Sequence, residues 1–212
     1  MAQMSMNKVI HAAFRRDLDR FVGALTTFPP GDAERARQLG KAWANFDLQL
    51  TDHHEGEHEI AWPALESIGV SHDTIVQMDA EHDVMAAALA DARAAMAALE
   101  RSPGQGEADR ALAAMERLRE ATVTHLDHEE QELEPVYLEN VESPAIKEMG
   151  KKFAKVSPAK GGVFFAWLLD TGSPQERAAM MANVPAPGPV VKILTGVFGR
   201  SYRKDVAPVW AS

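Results

Sequence analysis

Two stretches of the chain carry almost the same set of side chains able to bind metal: His53-His54-Glu55-Gly56-Glu57, leading to Trp62-Pro63, and His125-Leu126-Asp127-His128-Glu129-Glu130, leading to Pro135. Each is His-x-x-x-Glu with a proline six residues after the Glu. A lone histidine precedes each at a matching distance, His11 lying 42 residues before His53 and His82 lying 43 before His125. Residues four apart share a helix face, so each pair can turn an imidazole nitrogen and a carboxylate toward one centre. His11, His53, Glu57, His82, His125 and Glu129 then form a pseudo-twofold set of six donors. Imidazole with carboxylate suits iron, manganese and zinc alike. A structural zinc site usually takes four ligands, so six favour two ions.

The ordinary reading of one histidine on an apolar seam is a hydrogen-bonded core residue. Duplication counts against it. Burying four imidazoles and two carboxylates costs several kcal/mol for each uncompensated charge, against a total domain stability of about 5–15 kcal/mol. Bound cations supply the missing positive charge.

The elements that must position these residues read as long amphipathic helices. A first, Asn7 to Phe28 with Asn7 as its cap, places His11 in line with Phe14, Leu18, Phe21 and Leu25. A second, about 33–62, has the seam Leu39, Trp43, Phe46, Leu50, His53, Glu57 and Ile60; His54 falls on its flank and His58 farther out. A third, from the cap Ser71 to about Arg101, carries Ile75, Met78, His82, Met85, Leu89, Ala92, Met96 and Leu99. A fourth, about 107–137, carries Met115, Leu118, Thr122, His125, Glu129, Leu133 and Val136. Pro63 and Pro135 remove backbone donors and should end or kink the two ligand-bearing helices. With short connections between them, the four predict an all-α, up-down-up-down four-helix bundle over residues 1–139.

Beyond Asn140 the pattern changes to short helices started by Ser143-Pro144, Ser157-Pro158 and Ser173-Pro174, with a last stretch from Val190 to about Tyr202. This C-terminal extension, 140–212, carries 10 Lys and Arg against 5 Asp and Glu, whereas 1–139 carries 12 against 26. Opposite net charges predict that the extension docks on the bundle, and the apolar run Gly161 to Leu169 predicts packing there or a homodimer contact. The acidic body argues against a nucleic-acid partner.

The chain has no cysteine, which excludes disulfides, thiolate zinc, iron–sulfur clusters and a cysteine nucleophile. Its longest apolar run, Val163 to Leu169, is far below the ~20 residues of a membrane span. The N-terminus lacks the apolar core and cleavage site of a signal peptide, so a cytoplasmic protein is expected. The methionines at 78, 85, 96 and 115 read as core filler rather than a copper site.

Taken in order and spacing, His11, His53-His54-x-x-Glu57 with Trp62-Pro63, Glu81-His82, and His125-x-x-x-Glu129-Glu130 with Pro135 resemble the hemerythrin family, in its bacterial branch with the HHE cation-binding domain. The resemblance spans about residues 7 to 139. It implies two non-haem iron ions with an oxo or hydroxo bridge, manganese and zinc ranking behind iron. By that likeness His11 and His53 bind one iron, His82 and His125 lie mainly on the other, and Glu57 and Glu129 bridge. Oxygen carriers of the family have a further histidine where Met78 stands, and a last carboxylate at the spacing of Glu130; helical phase favours Glu129, and the choice is open at this level. A histidine-poor second iron has a vacancy or a replacement ligand, for which Glu81 and His54 rank ahead of Glu55 and His128. The reading that follows is a di-iron protein interacting with O2, peroxide or nitric oxide. Its alternatives are a catalase-like enzyme dismuting peroxide and an iron or oxidant sensor signalling through the extension.

Overall fold

The computed structural model describes residues 4–184 and 188–211. Four long helices form the body: α1 (Met6–Thr26), α2 (Ala33–Gly56), α4 (His72–Arg101) and α5 (Gln105–Glu132). They pack as a closed ring in which α1 meets α5, α5 meets α4, α4 meets α2, and α2 meets α1. This is the expected all-α four-helix bundle.

The helix starts follow local capping chemistry. Asp32 caps α2 by accepting from the Arg35 N–H, and Ser71 caps α4 by accepting from Thr74. The expected cap Asn7 is corrected to Ser5, whose side chain accepts from the Lys8 N–H, so Asn7 lies inside α1. Both prolines act, but differently. Pro63 is absorbed by a π-helical turn over Glu57–Ala61, after which the short α3 (Trp62–Glu66) continues. In the fourth helix the interruption falls at Leu133, and α6 (Glu134–Glu139) follows.

The apolar interior is divided in two. The larger cluster is built on Phe14, Leu18, Phe21, Leu39, Phe46, Leu50, Met115 and Leu118; the smaller joins Ala61, Trp62, Leu65, Val70, Ile75, Met78, Leu133 and Ile146. On α2 the His53–Glu57 pair lies between Leu50 of the larger cluster and Ala61 of the smaller. Met78, Met85, Met96 and Met115 are all core residues.

The extension supplies α7 (Pro144–Phe153), α8 (Pro158–Leu169), α9 (Pro174–Asn183) and α10 (Gly188–Val197), and Ser143, Ser157 and Ser173 cap the first three. The last stretch does not run unbroken to Tyr202: a turn at Phe198-Gly199 separates α10 from a π-helical turn over Tyr202–Val206. Trp167, Leu168, Tyr202, Val206 and Val209 join the larger core. The α8–α10 crossing depends on Gly162, where a Cβ would stand 2.7 Å from the Leu194 carbonyl oxygen. Docking by net charge is only half the story. Lys160 of the extension pairs with Asp52 at 2.9 Å as expected, but Arg20 of the bundle pairs with Asp170 of the extension in the opposite sense. Trp167 also donates to the buried Asp17 at 2.7 Å. Among the described residues, no helix is long and apolar enough to cross a membrane.

Candidate metal centre

The centre is built around Glu57, at the first residue of the π-helical turn. At about 100° per residue, His53 lies ~40° to one side of Glu57 on the helix and His54 ~60° to the other. The carboxylate therefore sits between the two imidazoles. Its Oε1 is 3.1 Å from His53 Nε2, and its Oε2 is 3.4 Å from His82 Nε2, which arrives from α4. Gly56 lets the exposed Phe153 ring of α7 lie close against α2, since a Cβ there would stand 2.7 Å from the ring as it is placed.

The other two long helices complete the cluster. His11 Nε2 of α1 lies 3.1 Å from Glu129 Oε2 of α5, and His125 Nε2 lies 3.9 Å from that same oxygen. His82 and His125 bring their Nε2 atoms to 3.0 Å. Two nitrogens each about 2.1 Å from one ion and at right angles around it would be about 3 Å apart. Two groups result, each with donor atoms within 4.8 Å of one another: His11, His53, Glu57 and Glu129; and His54, Glu57, His82 and His125. Glu57 belongs to both.

The donor set fits cations by a second test. Nε2 of His11, His53 and His54, both oxygens of Glu57, and Oε2 of Glu129 are buried without a hydrogen-bond partner. Buried polar atoms are normally satisfied, so a convergent group of unsatisfied acceptors calls for a positive ligand.

Electrostatics favour the neutral, ligating form at four of the histidines. Burial, then the neighbouring histidines, drives His53 and His54 well below the ordinary histidine range. His82 is pushed down to about 4 by burial and then by His125. Burial also lowers His125, against the pull of Glu129 and Glu81. These four imidazoles are neutral at pH 7, as a metal ligand must be. Burial and the facing Glu129 raise Glu57 well above the usual carboxylate range, whereas Glu129, against its burial, is held below that range by His11, His125 and the Asn7 amide. For His11, burial lowers the pKa but the charges of Glu129 and Glu130 outweigh it.

The groups behind the ligands hold the rings. His11 Nδ1 is 2.9 Å from Glu130 Oε1, a carboxylate that Arg15 also binds at 2.7 Å. Burial opposes its ionisation, yet these two partners hold Glu130 down at about 2. Glu81 presents one oxygen to His125 Nδ1 at 2.9 Å and the other to His128 Nδ1 at 2.7 Å. Trp62 stacks on His82 and donates to Asp79 Oδ1 at 2.9 Å.

All six residues of the expected set thus converge. The structure brings a seventh, His54, together with His82 and His125, so that group has three imidazoles. Glu130 lies behind His11, and Glu81 and His128 lie behind His125. Glu55 is exposed and outside the cluster. Sequence reasoning missed Asn7, whose Nδ2 donates to Glu129 Oε1 at 2.8 Å, and Asp79. Asp79 lies three residues before His82, on the same helix face, which was a signal for it.

A four-helix bundle whose interior holds two histidine–carboxylate groups sharing one glutamate is a cation-binding bundle. The model of the hemerythrin HHE cation binding domain matches residues 7–151, about two thirds of the chain, and the chain belongs to that family. The match extends past α6 through most of α7, whose Ile146 lies in the smaller core cluster. Comparisons with curated proteins and with solved structures gave no significant match.

Proposed function

We propose that the chain is a non-haem di-iron protein that takes O2, peroxide or nitric oxide as its small ligand. In this reading His11, His53 and Glu129 would hold one iron, His54, His82 and His125 would hold the other, and Glu57 would serve both. The observation that carries it is Glu57, which offers one oxygen to each group and has no hydrogen-bond donor of its own. Bound there, two adjacent irons supply one-electron redox chemistry at each centre and Lewis acidity toward oxygen-derived ligands.

The chain's own part is orientation and exclusion of water. Glu130 and Glu81 accept from the outer nitrogens of His11 and His125 and so direct their Nε2 atoms inward. His54 supplies from α2 the imidazole that Met78 withholds from α4. His11, His125, Glu57 and Glu129 are buried, which limits solvent access to the donors. Elemental analysis of the purified chain tests the reading: close to two irons per chain supports it, and a single zinc per chain overturns it.

One observation favours a sensing role for the same centre. The Phe14 ring lies 5.2 Å from that of His53 and 5.1 Å from that of Trp167, joining the site to the extension by direct ring contact. A sensor requires that metal loading change the protease sensitivity of residues 140–212. Equal cleavage with and without iron removes this role.

A further inference from the structure

The two shared-face carboxylates are held differently. Glu57 has both oxygens free of hydrogen bonds. Glu129 has one oxygen occupied, because the Asn7 amide donates to its Oε1 at 2.8 Å and leaves only Oε2 facing the cluster. That oxygen is 3.1 Å from His11 Nε2 but 3.9 Å from His125 Nε2, and the close donor group around His54, His82 and His125 does not include Glu129.

We propose that Asn7 is a positioning residue that confines Glu129 to one-oxygen donation on the His11–His53 side, and so keeps a coordination position beside His54, His82 and His125 open to a small exogenous anion or diatomic ligand. The inference rests on the two-iron reading above. A carboxylate rotates freely between its two nearly equivalent oxygens unless one is held, and a neutral amide N–H holds it without cancelling its charge. Asn7 is itself held in register. After the interruption at Leu133, Glu134 accepts from the Ser5 N–H at 3.2 Å and from the Ser5 hydroxyl at 2.6 Å. Ser5 then caps α1 through the Lys8 N–H at 3.1 Å, which frees the Asn7 side chain to reach across to α5. The break at Leu133 and the donor on Glu129 are thus parts of one arrangement.

Azide titration of the full-length ferric protein, followed by its ligand-to-metal absorption band, tests this in the wild type, Asn7→Ala and Asn7→Gln, with iron content and thermal melting measured alongside. The expected result is two irons in all three, with a lower melting temperature for Asn7→Ala, which leaves the buried Glu129 Oε1 without its donor. Azide should bind about 10-fold or more weakly to Asn7→Ala, with a shifted band, as for loss of an outer hydrogen bond to a ligand. Asn7→Gln, which keeps an amide donor, should recover part of the affinity. Equal azide affinity and an equal band in Asn7→Ala would overturn the proposal, as would identical behaviour of the Ala and Gln variants. Iron loss from Asn7→Ala overturns it as well, because Asn7 would then retain Glu129 at the metal rather than set its mode. A wild type without two irons removes the di-iron reading itself. A two-iron wild type with an indifferent Asn7→Ala removes this inference alone.

Discussion

The two His-x-x-x-Glu copies end in different roles. In α2 the residue three before the glutamate is His54, and in α5 it is Leu126, fully buried in the apolar core. Glu57 is therefore flanked by imidazoles on both sides, whereas Glu129 has one imidazole partner on its own helix and Asn7 on its far oxygen. The helix after Glu57 relaxes into a π-helical turn that sends Trp62 onto His82, while the helix after Glu129 breaks at Leu133 and sends Glu134 to Ser5. A repeated motif places two carboxylates at the same depth; what lies one turn away decides how many oxygens each can give.

The largest effect should come from the shared residue. Glu57→Ala removes a donor from both groups and should reduce the iron content of the purified protein from two per chain to less than one, as read by elemental analysis. Retention of two irons would show that the α2 copy is not the hub. Next, His54→Ala should lower the content to about one iron per chain, whereas His128→Ala, the residue at the flank of the α5 copy, should leave two. An equal loss in both would erase the distinction between the copies.

Smaller effects should follow from the supports. Glu130→Gln and Glu81→Gln leave the ligands in place but weaken the acceptors behind His11 and His125, and each should cost ~10–100-fold in iron affinity, measured by competition with a chelator. The smallest effect concerns the metal-free fold. His82 is held at about 4 in the fold against 6.5 unfolded, so the folded state binds fewer protons between those values. Its contribution is present above pH 6.5 and is lost as pH falls toward 4. Metal-free protein should therefore melt at progressively lower temperature across that window, and His82→Asn should flatten the decline. An unchanged slope in the variant would mean that His82 is not desolvated as the packing implies.

Much of this was legible before any coordinates. Steps of three and four along α2 put His53 and Glu57 on the same seam as Trp43 and Phe46, and the same rule found His11, His82, His125 and Glu129. It favoured Glu129 over Glu130 without deciding between them, and the fold turns Glu130 to the outer nitrogen of His11. The rule left His54 on the flank because it measured distance from a seam centred on His53; measured from Glu57, His54 lies ~60° to one side and His53 ~40° to the other. It failed at Asn7 because a capping residue and a cross-helix donor have the same composition, and Ser5, two residues earlier, took the cap.

The order of residues alone was enough for the helices, their apolar seams and the six donors at matched depth, because periodicity and capping are properties of a few adjacent residues. Which oxygen of each glutamate faces the centre, which further histidine lies beside His82 and His125, and where the extension seats Trp167 depended on how the helices pack. Those contacts join different helices, Asn7 to Glu129 and Trp167 to Asp17 across more than a hundred positions, and no local pattern encodes a distance across a bundle.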